Sequence, residues 1–302
     1  MSNQNKAYFF AVAAIFFWST VASAFKLSLE YLAPIQLVFY AALFSIVALF
    51  VILAFQRKLV LIRQYPKKDI ARLAVLALLN PCLYYLLLFE AYDRLPAQEA
   101  MAINYSWVVM MVLLSIPILK QKISIRAIGG VGVSYLGVVV IATKGDVFGM
   151  EFSDVLGVIL ALSTTVIWAL FWLFNTKNSS DTVVSLFLIF LISLPFITLA
   201  VLIGSTFEWP SYQGLFGGIY VGLFEMGITF VLWQSALSLS STVAKITSLA
   251  FVTPFLSLLL LYFLIGEVIL LSTVIGIILI ICGLLLQKYF SQGGEVSAIK
   301  SN

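Results

Sequence analysis

The chain of 302 residues is 63% hydrophobic and 10% charged, with a mean hydropathy of +1.12. Soluble globular domains do not have this composition, so we expect an integral membrane protein with lipid as its main surroundings. The net charge of +4 fits contact with anionic lipid better than binding to nucleic acid, which we exclude as a partner.

Apolar runs long enough to cross about 30 Å of hydrocarbon recur along the whole chain. They lie at residues 7–27, 33–55, 70–90, 96–118, 125–143, 154–174, 182–204, 213–236, 241–264 and 269–287. The longest polar insert between them, 56–69, has the size of an ordinary helix connection. We therefore predict ten transmembrane helices in a single membrane domain. The first run ends in Ala22-Ser23-Ala24, as a secretory signal does, but its length and Trp18 favour a membrane helix.

The basic residues predict the orientation, because Lys and Arg near helix ends are retained on the cytoplasmic side. With the N-terminus inside, thirteen of the 17 basic residues fall in cytoplasmic stretches, and most acidic residues fall outside. We therefore predict a multi-pass protein of the cytoplasmic (inner) membrane with both termini in the cytoplasm.

The second half of the chain repeats the first. Residues 84–91 align with residues 228–235, which lie 144 positions later, and Phe17-Trp18 aligns with Ile167-Trp168. After a two-residue slip, two pairs of glycines also match: Gly130 with Gly276, and Gly137 with Gly283. A repeat at a fixed offset indicates an internal duplication.

Each half holds five predicted spans, and a unit with an odd number of spans begins and ends on opposite sides of the bilayer. Its copy must therefore be inverted, and many transporters build two alternating access states from inverted repeats. We expect an all-α membrane protein with ten transmembrane helices as two inverted five-helix repeats. The repeats are expected at 1–149 and 150–290, with a cytoplasmic tail at 291–302.

Short motifs in the second half resemble a known family. They are Asp154-Val155-Leu156-Gly157, Thr253-Pro254-Phe255, Ile265-Gly266-Glu267, Ile275-Gly276 and Cys282-Gly283. With these residues the chain resembles, over about 7–287, the drug/metabolite transporter (DMT) superfamily in its ten-helix EamA-type form. The resemblance implies export of amino acids or related metabolites. The first repeat departs from the pattern, because Lys120-Gln121-Lys122 stands where Gly-Glu is expected.

The residue inventory argues against an enzyme. The chain has no histidine, and its two cysteines, Cys82 and Cys282, both lie within predicted spans. Histidine-assisted nucleophiles, HExxH zinc sites and CxxC metal or redox sites are therefore excluded. No GxxxxGK[ST] loop for ATP is present either. We expect no cofactor, no metal and no catalytic residue.

Glu225 is the leading candidate for a binding residue, because it lies near the midplane of the eighth predicted span. A carboxylate at that depth costs at least ~2.5 kcal/mol, so it should face a cavity, pair with a cation or stay protonated. We interpret it as a cation or proton site; a neutral glutamate bonded to a neighbouring helix is the alternative. Asn80, followed by Pro81, lies at a similar depth in the third span. Together the two predict a polar patch between the repeats.

Six further residues are candidates to line that patch. They are Trp18, Trp168, Asn104, Tyr105, Thr247 and Ser248. Tryptophan rings beside a carboxylate could hold a primary or quaternary ammonium by cation–π attraction. Lys26 and Glu99, by contrast, lie near helix ends, where we expect them to extend to the interface.

These observations predict a secondary transporter or facilitator that moves a small organic metabolite across the lipid bilayer by alternating access. The expected substrates are amino acids or related amines, with export favoured over import. Glu225 would neutralise the amine or carry a coupling proton. An importer of a quaternary ammonium or other amine is an alternative, and so is a channel-like pore, although no filter sequence is visible. A monomer and a dimer are both compatible with the sequence.

Overall fold

The structure is a computed structural model that describes residues 3–66, 69–119, 125–149, 152–175, 180–204, 209–240, 246 and 248–300. Within these ranges every regular element is a helix. The ten principal helices are α1 (Asn3–Leu29), α2 (Pro34–Phe55), α3 (Ile70–Arg94), α4 (Ala97–Tyr105 and Trp107–Leu119), α5 (Ile125–Ala142), α6 (Val155–Asn175), α7 (Thr182–Gly204), α8 (Tyr212–Leu239), α9 (Thr253–Ile265) and α10 (Leu271–Lys300). A short helix, Leu59–Arg63, connects α2 to α3, and a 3₁₀ turn, Ser248–Val252, precedes α9.

The helices confirm the predicted all-α membrane fold. Seven of those described are long and apolar enough to cross a bilayer, and α5, α9 and α10 contribute three shorter apolar stretches. The predicted ninth span is described only in part, since 241–245 and 247 lie outside the described residues. The last helix continues through 291–300, so most of the predicted tail is helical.

The end of α1 and the start of α10 both meet the start of α4, through Lys26 and Gln98, so the beginning of α1 and the end of α10 lie toward the opposite face of the bundle. We call the face where α1 begins and α10 ends the terminal face, and the opposite one the far face. That the terminal face is cytoplasmic remains a prediction from the basic residues.

The third helix of each half is irregular at equivalent positions. The helix α8 has a widened, π-helical turn at Gly222–Gly227, whereas α3 is kinked within Leu78–Leu83, where Asn80 has the extended φ of −147° and ψ of 120°. The two turns begin 144 positions apart, which is the offset found in the sequence alignment. The turn in α3 contains Pro81, which cannot donate a helical hydrogen bond. Both halves therefore depart from a regular helix at matching positions, although the two backbone distortions differ.

The matched glycines pack α5 against α10. A methyl group placed on Gly137 would lie 2.5 Å from the carbonyl oxygen of Gly276, and one on Gly130 would lie 2.6 Å from that of Gly283. The later residue of one helix thus meets the earlier residue of the other, so the two helices run antiparallel. Between these contacts the Ser134 hydroxyl donates to the Ile280 carbonyl at 3.0 Å. Small residues allow this close backbone approach, which drives helix association in lipid.

Two further antiparallel pairs show the same relation between the halves. In one pair, α1 packs on α8 with Phe17 stacked on Phe224 at 4.6 Å between ring centroids. In its equivalent, α6 packs on α3 with Trp168 against Tyr84 at 4.5 Å. The first helix of each repeat therefore packs on the third helix of the other. This exchange places the middle of the bundle at the interface between inverted repeats.

Candidate functional site

Glu225 lies in the widened turn of α8, in the middle of the bundle. Its Oε1 accepts a hydrogen bond from the Tyr85 hydroxyl of α3 at 3.0 Å. Its Oε2 is buried and has no hydrogen-bond partner among the described residues. The side chain as a whole is 7% exposed. A tyrosine of one repeat thus bonds to the carboxyl group of the other, and one carboxyl oxygen is left unsatisfied by the described residues.

Two tyrosines of α3 lie beside this carboxyl group. Tyr85 bonds to Glu225, and the Tyr84 ring stands edge-on to the Tyr85 ring at 4.8 Å between centroids. Phenol groups offer hydrogen bonds and ring faces without adding a formal charge. These neighbours therefore add no positive charge beside Glu225.

A chain of polar contacts runs from Tyr84 into α4 and α6. The Tyr84 hydroxyl donates to Asn104 Oδ1 at 3.3 Å, and Asn104 Nδ2 donates to Thr164 Oγ1 at 2.9 Å. The Thr164 hydroxyl in turn donates to the Ala161 carbonyl at 2.6 Å. The predicted residue Asn104 is therefore part of a network beside Glu225. Thr164 was not predicted, because one threonine in an apolar helix gives no sequence signal.

The two repeat-related tryptophans meet on one ring, that of Phe230 in α8. The ring centroid of Trp168 lies 5.9 Å from that of Phe230, and the Trp18 ring lies 6.5 Å from it. Trp172 completes the cluster at 6.3 Å from Phe230. Trp168 Nε1 is buried and has no hydrogen-bond partner within the described ranges. Sequence reasoning missed Phe230, since nothing distinguishes it among 25 phenylalanines.

Asn80, the second residue of the predicted polar patch, is not bonded to this centre. Asn80 is 1% exposed, and its Oδ1 has no partner in the described part of the chain. Nearby Cys82 contacts the Ser193 carbonyl of α7 at 3.8 Å, so this turn of α3 faces α7. Asn80 makes no hydrogen bond to Glu225, so no direct bond joins these two residues into the single polar patch that the sequence predicts.

Tyr105 lies at the break between the two segments of α4 and lines a small cavity of about 30 Å³ against α9 and α10. Thr247 lies outside the described residues. Ser248 begins the 3₁₀ turn before α9, and its side chain is not among those described. The structure therefore says nothing about the contacts of these two side chains.

Glu267 joins the repeats at the far face. Its Oε2 and Oε1 accept hydrogen bonds from the backbone N–H groups of Ala97 and Gln98, each at 3.1 Å. These are among the first N–H groups of α4, which have no partner within the helix. Gly266 precedes with a φ of +73°, a conformation that glycine adopts readily, and it turns the chain toward α4. The Gly-Glu motif thus acts as an inter-repeat helix cap.

The Gln98 side chain reinforces the same junction. Its Nε2 donates to the Val268 carbonyl at 2.8 Å, and its Oε1 accepts from Leu270 N at 2.9 Å and Thr273 Oγ1 at 2.8 Å. At 2% exposure the amide is buried, and its hydrogen bonds all cross between repeats. We call the contacts of Glu267 and Gln98 the far-face latch.

Lys26 and Glu99, both expected to extend to the interface, have different surroundings. Lys26 Nζ donates to the carbonyls of Tyr92 and Leu95, at 2.8 and 3.0 Å, and so holds α1 to the α3–α4 turn. Glu99 is fully buried, and Ser153 Oγ lies 2.7 Å from one of its oxygens. The prediction that both side chains extend to the interface is wrong for Glu99, because a local hydroxyl donor satisfies the carboxylate inside the protein.

A smaller junction lies at the terminal face. Lys58 Nζ lies 2.7 Å from Asp181 Oδ2, and Asp181 Oδ1 accepts from the backbone N–H groups of Val183 and Val184 at the start of α7. Burial acts to raise the pKa of Asp181, but the hydrogen bonds and the charge of Lys58 outweigh it, so the pKa lies below its ordinary value. The pair connects the α2 end of one repeat to α7 of the other.

Comparison with known proteins agrees with this architecture. The chain matches the model of the EamA-like transporter family twice, over residues 5–143 and 155–287. It is 29% identical over 223 residues to an "Uncharacterized transporter in sor 3'region" of Acidianus ambivalens, covering 72% of this chain and 81% of that protein. It is 27% identical over 232 residues to "Uncharacterized transporter YvbV" of Bacillus subtilis (strain 168), covering 76% and 75%.

A solved crystal structure superposes on the chain with a TM-score of 0.66, covering 96% of this chain and 99% of the other at 21% identity. At this identity the likeness shows a common fold. The family match covers nearly the whole membrane part, and both named relatives are transporters rather than enzymes. The chain belongs to the EamA-like transporter family of the DMT superfamily, and it is a multi-pass membrane transporter.

Proposed function

We propose that this protein is a secondary transporter or facilitator that exports a small organic amine, such as an amino acid, across the cytoplasmic membrane by alternating access. The observation that carries the proposal is the half-satisfied carboxyl group of Glu225 at the repeat interface. Tyr85 occupies one oxygen, while the other is buried without a partner among the described residues. Acidic residues inside membrane domains are functional by default.

Charge favours an amine as the ligand. An ionised carboxylate buried without a cation is costly, and the groups near Glu225 are neutral phenols. A bound ammonium would neutralise the carboxylate and accept the ring faces around it, since cation–π contacts contribute ~0.5–2 kcal/mol each. The aromatic cluster of Trp18, Trp168 and Phe230 suits the apolar part of the same molecule. Because these rings would also hold a quaternary ammonium, an importer of such a compound is the runner-up.

The arrangement of the repeats supports alternating access. The far-face latch and the Lys58–Asp181 pair both join one repeat to the other, at opposite ends of the bundle. Rocking of the repeats about the centre would break the contacts at one face while keeping those at the other. A proton is the candidate coupling ion when no amine neutralises Glu225.

A thermal-shift screen tests the substrate class. Purified protein is heated with amino acids, amines, nucleosides and sugars, alongside Glu225→Gln and the control Glu90→Gln. Glu90 pairs with Arg94 at 3.7 Å and is partly exposed, so its loss leaves the centre intact. We expect amines to raise the melting temperature of the wild type and the control but not of Glu225→Gln. Equal stabilisation of all three proteins would reject the role of Glu225.

A further inference from the structure

The connection between α2 and α3 concentrates positive charge at the terminal face. Between residues 57 and 72 the sequence holds six basic residues and one acidic residue, Asp69. The basic ones are Arg57, Lys58, Arg63, Lys67, Lys68 and Arg72, of which Lys67 and Lys68 lie outside the described residues. We call residues 56–72 the basic connection. A basic cluster of this density beside a membrane helix attracts anionic lipid headgroups.

The protein itself neutralises little of this charge. Arg57, Arg63 and Arg72 form no ion pair with any acidic side chain in the described part of the chain, and Arg57 and Arg63 are exposed. Lys58 does have a partner, since its Nζ lies 2.7 Å from Asp181 Oδ2. The side chains of this pair are 36% and 25% exposed, so a second anion can approach the ammonium group.

Apolar side chains place the same segment at the boundary of the bilayer. The 22 residues of α2 extend about 33 Å, close to the ~30 Å thickness of the hydrocarbon, so the helix ends where the headgroups begin. At that level Phe55 is 86% exposed, and Val60 on the short helix is 62% exposed. Exposed apolar and basic side chains on one segment are typical of a surface that lies in the headgroup layer.

Other side chains fix the basic connection to the bundle. Leu59 and Ile62 are partly buried and pack against the core. Tyr65 is buried, and its hydroxyl lies 3.4 Å from the Ser185 hydroxyl of α7. Ser185 lies one turn after Asp181, the partner of Lys58, and bonds to its carbonyl at 2.9 Å. The basic side chains are therefore held beside the start of α7, with the apolar ones facing lipid.

We propose that the basic connection binds an anionic phospholipid of the phosphatidylglycerol type, with its phosphate against Arg57 and Lys58 and its acyl chains along Phe55 and Val60. A phosphatidylcholine offers the same acyl chains but adds a cation beside the arginine, which disfavours it. A phosphate that contacts Lys58 competes with Asp181 for the same ammonium group. The lipid therefore weakens the junction between the α2 end of one repeat and α7 of the other.

Native mass spectrometry of the full-length protein in a neutral detergent tests the proposal. Delipidated protein is titrated with phosphatidylglycerol or with phosphatidylcholine, and the bound lipids are counted. We expect phosphatidylglycerol to bind about tenfold more tightly than phosphatidylcholine. Arg57→Gln should lower the affinity for phosphatidylglycerol about fivefold, as expected for one basic residue, and leave that for phosphatidylcholine unchanged. Asp181→Asn should raise the affinity for phosphatidylglycerol, because Lys58 then has no competing carboxylate.

The backbone at Arg57 allows its charge to be separated from the fold. Arg57 follows α2 with a φ of +57°, in the left-handed conformation where glycine is the usual residue at a helix end. Arg57→Gly should therefore lose lipid affinity as Arg57→Gln does, while its melting temperature without lipid stays at or above that of the wild type. Lys144→Gly is the matched control, because Lys144 follows α5 at the far face with a φ of +53°. It removes one charge from the same conformation and should leave the lipid affinity unchanged.

Three results would overturn the proposal. The first is equal affinity of the wild type for the two lipids, and the second is the same loss in Lys144→Gly as in Arg57→Gly. The third is displacement of bound phosphatidylglycerol by millimolar glycerol phosphate, since a soluble phosphate would then bind without acyl chains. An unchanged affinity in Asp181→Asn would reject the competition for Lys58. Arg57→Gln keeps the test valid if a glycine variant fails to fold.

Discussion

Substitution Glu267→Gln should weaken the far-face latch and open the transporter toward that face. Glutamine keeps one acceptor oxygen but loses the charge that both N–H groups of α4 now contact at 3.1 Å. A hydrogen bond to a charged group contributes ~1.5–3 kcal/mol, and a negative charge at a helix N-terminus adds ~0.3–1 kcal/mol. The three bonds of the Gln98 side chain remain. We therefore expect a loss of about 2 kcal/mol, which is about 30-fold in the latch equilibrium.

A cysteine accessibility assay measures this change. Ala102, fully buried on the first segment of α4, is replaced in Ala102→Cys after Cys82 and Cys282 are changed to serine. Proteoliposomes are then treated with a membrane-impermeant maleimide from the far side. The maleimide reacts when the latch opens transiently, so the labelling rate is proportional to the open population. We therefore expect the rate in Glu267→Gln to rise toward about 30 times that of the parent.

Glu90→Gln serves as the control, because the one ion pair of Glu90 among the described residues is with Arg94 on its own helix, one turn away. It removes a carboxylate near the same face without touching the latch, so its labelling rate should equal that of the parent. A labelling rate in Glu267→Gln equal to that of Glu90→Gln would refute the latch.

Three other substitutions test separate contacts. Gly137→Ala should lower the free energy of unfolding by ~1–3 kcal/mol, measured by thermal unfolding, because its new methyl group would lie 2.5 Å from a carbonyl oxygen of α10. Gly132→Ala is the control and should be near neutral, since nothing lies within 4 Å of a methyl group placed there. Tyr85→Phe should leave the central carboxyl group with no donor from the described residues and lower amine-induced stabilisation, as measured by thermal shift. Asp181→Asn should cost at most ~1 kcal/mol at pH 7, because its partner Lys58 is partly exposed. The fold lowers the pKa of Asp181, so the stability contributed by its charge is present above the ordinary pKa of 3.8 and is lost as pH falls through the lowered pKa. Melting temperatures measured during acid titration should show this contribution being lost in the parent and absent from Asp181→Asn.

The sequence predicts the spans and the repeat well because both are encoded locally. Hydrophobic length determines each crossing, and the glycines that match between the halves are the ones that pack α5 against α10 in the structure. The match of Trp18 with Trp168 likewise corresponds to two rings that meet on Phe230. Features held in common by the two halves are therefore readable without coordinates.

Partners across the bundle could not be predicted in the same way. A membrane helix is apolar on its lipid face and on its buried face, so hydrophobicity does not show which side packs inward. The bond between Tyr85 and Glu225 joins residues 140 positions apart, and one tyrosine among 13 gives no signal. Glu267 was recognisable as a motif, but its role as a cap for α4 depends on where two distant loops meet.

Counterflow in proteoliposomes tests most directly whether the central carboxyl group carries the substrate. Vesicles loaded with an unlabelled amine that stabilises the protein are diluted into the labelled compound, and accumulation is followed over time. We expect accumulation with the wild type and Glu90→Gln, and little or none with Glu225→Gln. Undiminished accumulation in Glu225→Gln would contradict a substrate site built on that residue.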